Sequence, residues 1–171
     1  MNAHTPPIAY LDDMSLSHLN TAELLLTATL RLYVLAQRGA EGECPDWRNG
    51  MLTTGVRPCA VVAFDVLVKT ILGQTQQALD VRCPLCPKLG ADEGRFLQMT
   101  SLLQQQRFGA AHAILGQWLP PLAQAAMMSP AVHVAFACAS RGLRVPWRHG
   151  DTEMLAYFDV PCGDPGVNFV H

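Results

Sequence analysis

Apolar positions recur along the chain at the three-and-four spacing of α-helices, and residues that start or stop helices bound the runs. The first run is the clearest. Asn20 precedes it as N-cap, Glu23 completes an asparagine variant of the capping box, and Leu19 and Leu24 are placed as a hydrophobic staple. Gly39 is placed to end it in the left-handed conformation. Leu24, Leu25, Ala28, Leu32 and Leu35 line one face, and Leu26, Leu30 and Val34 line another. Only Glu23, Thr27, Arg31 and Arg38 make a polar stripe. A helix this apolar belongs at the centre of a core or in an oligomer interface.

The stretch from Gly39 to Arg57, rich in Gly, Pro, Asp and Asn, reads as a long loop. Within it, Trp47 beside Arg48 is expected to pack in a turn, with anion or ring binding as the alternative. Pro58 opens a second helix to about Leu72, with Gly73 past its end and Asp65 and Lys69 as an i,i+4 pair. A third starts near Asp92 and Glu93 and runs to the Gln104-Gln105-Gln106 tract, and Gly109 marks a turn. Ala110 to Trp118 makes a fourth, stopped by Pro120-Pro121, with a short helical stretch through Met127. Ser129 as N-cap and Pro130 start a fifth, which ends at Gly142 and carries Ala131, Ala135 and Ala139 as a small-residue stripe. Beyond Arg144, prolines and glycines break any long helix, while Tyr157, Phe158, Phe169 and Val170 are too apolar for a solvated tail. The expected architecture is all-α: one domain, an irregular bundle of about five helices over about 17–142, with an extended, docked C-terminal tail over about 143–171.

Composition adds an expectation about assembly. Charged residues make up 15% of the chain, against roughly 25% in an average soluble domain. So few charges leave apolar surface to be covered, most simply by a second copy, and a homodimer is expected. A net charge of −2 gives no electrostatic case for nucleic acid. The first ten residues have neither the basic region nor the apolar core of a signal peptide. Glu23, Arg31, Asp65 and Lys69 interrupt the apolar runs, so no membrane span of roughly 18 residues is expected. The cytoplasm is the expected compartment, where six cysteines do not form a disulfide framework.

Chemistry concentrates at Cys83-Pro84-Leu85-Cys86-Pro87, a turn that aims two thiols at one spot. One reading is half of a tetrahedral zinc site, completed by Cys44 and one of Cys162, His149 or His171. A redox pair is the second reading, although no βαβ pattern surrounds the motif. Haem ligation is the third and weakest, because Cys44, Cys83 and Cys86 each precede proline. Plain packing is the fourth, and it is the reading for Cys59 and Cys138, which lie on apolar helix stretches. His112 and His133 sit in alanine-rich helices and read as core or interface residues. Asp12-Asp13 and Asp92-Glu93 read as helix caps. No nucleophile elbow, phosphate loop or His-Glu-x-x-His motif is present. Leu79-Asp80-Val81-Arg82-Cys83-Pro84 resembles the motif of TusA-type sulfur carriers, which implies a β-α-β-α-β fold; position 86 is Cys where that motif has Pro, the surroundings are helical, and no family is assigned. The functional expectation is a non-enzymatic helical interaction or regulatory protein that self-associates. The alternative is a thiol-based metal or redox protein centred on Cys83 and Cys86, with Cys44 and Cys162.

Overall fold

A computed structural model of the chain describes residues 10–39, 45–75 and 77–148. Among these, six α-helices follow a short 3-10 turn at Leu16–His18: α1 Thr21–Gln37, α2 Trp47–Thr53, α3 Pro58–Gln74, α4 Ala91–Gln104, α5 Phe108–Leu115 and α6 Pro121–Ser140. The all-α bundle expected from the periodicity is the observed fold. α6 packs against α3 and α4, α5 lies on α4, and α1 packs on α2 and α4.

Local chemistry explains the helix ends. Asn20 and Glu23 form the capping box of α1, and Gly39 adopts a φ of 78° past its end. α2 was expected as loop. Asp46 caps it by accepting from the Arg48 amide, and Trp47 turns inward. Its ring lies 5.0 Å from Tyr33 and 5.4 Å from Phe64, which is 5.9 Å from Phe96. That run of rings ties α1, α2, α3 and α4 together, as offset and edge-on aromatic contacts favour. Arg48 rests over the outer face of Trp47. Gly73 lies inside α3 rather than beyond it, and Gly109 lies inside α5, the turn before which is made by Gln106 at a φ of 62°.

The largest revision is α6. Ser129-Pro130 was expected to start a helix, yet the helix begins at Pro121 and passes through Pro130. Proline lacks the amide for the carbonyl of residue 126, so the helix gives up one internal bond there, in a stretch where residues 125, 126 and 129 are exposed. The resulting helix of 20 residues contains no Asp, Glu, Lys or Arg. By length and composition it is apolar enough to cross a membrane, contrary to the expectation that no run reaches that length.

Leu26, Leu30 and Val34 of α1 enter the core, as their face predicts. The stripe Glu23, Thr27 and Arg31 is buried as well, so Leu24 and Ala28 point outward instead. Asp65 does not pair with Lys69; its carboxylate accepts from the Tyr33 hydroxyl at 3.0 Å. Residues 143–148, the opening of the tail, dock on the bundle. Gln104 exchanges hydrogen bonds with Val145 and Leu143, and Ser101 donates to the Val145 carbonyl. The rest of the expected tail lies outside the described residues.

Gly90 shows how tightly the region before α4 is built. A Cβ there would sit 2.3 Å from the carbonyl oxygen of Asp80, a backbone atom that cannot swing away. Gly90→Ala should therefore destabilise the fold by at least about 2 kcal/mol in urea unfolding. Gly73→Ala, which adds its methyl in open space within α3, should stabilise it by up to about 1 kcal/mol.

Candidate functional site

The Cys83-x-x-Cys86 segment is a loop between α3 and α4, closed by a hydrogen bond from the Cys86 amide to the Cys83 carbonyl at 3.0 Å. Both thiols are free; Cys83 is exposed, Cys86 is partly buried, and Leu85 stands at the tip almost wholly in solvent. The loop is held from two sides. Along one, the arm before α1 pairs with it: the Asp13 amide donates to the Leu89 carbonyl, the Leu89 amide to Met14, and the Leu16 amide to Pro87.

On the other side stands Arg31, 2% exposed. Its Nε and one Nη form a bidentate pair with Glu93 at 2.7 and 2.8 Å. The same guanidinium donates to the carbonyls of Cys86 and Lys88, both at 2.6 Å. Glu93 also accepts from the amides of Arg82 at 3.0 Å and Gly90 at 2.8 Å. The pair satisfies nearly all its hydrogen-bonding capacity, which is the condition under which burying two charges is tolerable. Asp92 and Asp80 complete the frame: the Asp80 amide donates to Asp92 and the Ala91 amide to Asp80. Asp92 further accepts from the Trp118 indole and from Arg95. Burial pushes the Asp92 carboxyl up, but those hydrogen bonds outweigh it and hold the group below the usual carboxylate range.

A third buried carboxylate, Glu23, receives Arg148 at 2.7 and 2.9 Å, the Tyr10 hydroxyl and the Asn20 amide. Burial raises its pKa and the bonds from Arg148, Tyr10 and Asn20 outweigh that, so the net shift is downward. Thr27, one turn from both Glu23 and Arg31, has a buried hydroxyl with no partner among the described residues.

By sequence, Asp92-Glu93 and Asp12-Asp13 are expected to be helix caps. Glu93 does close the capping box of α4, but its larger role is as partner to Arg31. Asp12 and Asp13 face Arg82 and Lys88 around the thiol loop, in exposed pairs at 3.3 to 3.6 Å. The missed signal was Arg31, a charge flanked by leucines, whose partner lies 62 residues away.

Cys44, Cys162, His149 and His171 lie outside the described residues. Among the described residues, no three His, Cys, Asp or Glu side chains gather where a metal ion could be held. Cys138 is a core residue as expected, its thiol pushed by burial up to about 11. Cys59 is not: it is exposed on α3, and its sulfur lies 3.3 Å from Nε2 of His133 on α6. His133 is therefore an exposed residue with a thiol partner rather than a core histidine.

A polar cleft of about 570 Å³ opens beside Gln74, Asp92, Arg95 and Gln117. Its one buried carboxylate, Asp92, is already engaged by the three donors above. No protein-family model matches the chain, and neither a curated protein nor a solved structure matches it.

Removing one member of the buried pair leaves the other charge without compensation. Glu93→Ala or Arg31→Ala should each cost about 3–5 kcal/mol in denaturant unfolding. For Glu23 and Asp92 the folded pKa lies below the unfolded one, so their stabilisation is full above the unfolded value and is lost as pH falls through the folded one. The melting temperature should therefore drop as pH falls below about 4, and Asp92→Asn should reduce that dependence.

Proposed function

We propose that the chain is a helical interaction protein that forms a symmetric homodimer through the outer faces of α3 and α6. The observation that carries this reading is one continuous solvent-facing surface almost without charge. α6 turns Leu122, Ala125, Ala126, Ser129, His133 and Phe136 outward, with Leu122 86% and Phe136 38% exposed. Alongside, α3 turns out Cys59, Val62 and Val66, the two valines 62% and 40% exposed. The Cys59–His133 contact joins the two stripes. An apolar face of this kind is unfavourable in water and is the usual mark of an interaction surface. A two-fold dimer covers it with its own equivalent, so no complementary charge pattern is needed. Small residues at 125, 126 and 129 allow close approach of helices. Helices that lie on membranes carry Lys and Arg on their polar side, and α6 has none, which favours a protein partner.

Light scattering during size-exclusion chromatography at micromolar concentration should give a dimer. Leu122→Glu and Val62→Glu alter well-exposed positions and should each give a folded monomer. A monomeric native chain, or a dimer that survives both substitutions, overturns the reading; recovery of the native chain with vesicles of neutral lipid would replace it with membrane association.

The thiol loop supports a second reading, metal binding by Cys83 and Cys86. It draws support from two free thiols on a turn whose backbone the buried Arg31–Glu93 pair holds fixed. Elemental analysis of protein purified without a metal-binding tag should then find about one zinc per chain, lost in Cys83→Ser; no bound zinc overturns it.

A further inference from the structure

The contact between Cys59 and His133 fits none of the cysteine readings above. It brings a thiol and an imidazole from separate helices to 3.3 Å, both side chains solvent-facing. Cys59 is the second residue of α3, whose start has no side-chain cap; the Ala60 and Val61 amides donate to the Arg57 carbonyl. With Nδ1 carrying the ring proton, Nε2 is the acceptor towards the sulfur. The other described thiols lack this arrangement: Cys138 is sealed in the core, and no histidine bonds Cys83 or Cys86 among the described residues. A thiol with an adjoining base is the pattern of an activated sulfur nucleophile.

We propose that Cys59 is a reactive thiol that exchanges with low-molecular-weight disulfides, with His133 as its proton acceptor and donor. The Cys59 S–H proton passes to Nε2 of His133, and the thiolate attacks one sulfur of the disulfide R–S–S–R. A bond forms between Cys59 and that sulfur as the R–S–S–R bond breaks. The departing sulfur leaves as thiolate and takes the proton back from His133. The sum is Cys59–SH plus RSSR giving Cys59–S–S–R plus RSH; Cys59 is oxidised, the departing sulfur is reduced, and no further oxidant is required. A small disulfide is the fitting partner because both side chains are exposed and within its reach.

The test is the rate of mixed-disulfide formation with oxidised glutathione, read by mass spectrometry at each cysteine of the full chain. Cys59 should react at least about tenfold faster than Cys83, and His133→Asn should slow Cys59 by a similar factor while leaving Cys83 unchanged. Both rates are also measured in Leu122→Glu, so that a second copy seated on the face cannot hide the thiol. A faster Cys59 in that variant with an intact His133 effect supports the proposal whatever the oligomeric state. Circular dichroism verifies folding, and His133→Gln provides an independent second substitution. Cys59 reacting no faster than Cys83 in Leu122→Glu, or a rate indifferent to both His133 substitutions, overturns it.

Discussion

The bidentate bond between Arg31 and Glu93 is the constraint around which the other parts are arranged. Neither charge reaches water, so each needs its partner, and the pair holds α1 against the start of α4. Because the guanidinium also takes two carbonyls from the thiol loop and the carboxylate takes two amides beside it, the loop has no independent conformation. The connection between α3 and α4 is thus fixed by the buried charge pair together with the backbone bonds from the arm before α1 and the burial of Val81 and Leu89.

The sequence revealed the parts of the fold governed by local rules. Asn20 with Glu23, Pro58, and the leucine periodicity of α1 each state their role within a few residues, and the helices form there. Local rules failed where distant contacts decided. α2 is short and contains Asn49 and Gly50, and it is held by Trp47 against rings from α1 and α3. Pro130 carries a start signal, yet the helix runs through it, because the packing of α6 on α3 and α4 outweighs the one lost bond. The inward turn of Arg31 was illegible for a related reason: a charge on an apolar helix looks like a solvent mark unless the carboxylate 62 residues on is known.

The thiols follow the same division. The spacing of Cys83 and Cys86 announced a turn, and a turn is there. Cys59 offered no such signal, since an alanine-and-valine helix around a cysteine looks the same whether the residue faces core or water. Its exposure follows from the way α3 sits in the bundle, with Val61, Phe64 and Val68 buried and positions 59, 62 and 66 outward. The apolar outer face and the thiol contact thus have one origin, the rotation of α3 about its own axis in the bundle.

The anchoring of Arg148 on Glu23 also sets an order in time. During synthesis α1 leaves the ribosome with Glu23 bonded only to its near neighbours, while the cation that completes its shell is encoded 125 residues later. The Asn20 side chain waits equally long for the carbonyl of Arg144. A chain stopped before α6 ends therefore lacks the cation for its buried carboxylate, and α1 reaches its full bonding only once Arg144 and Arg148 are in place.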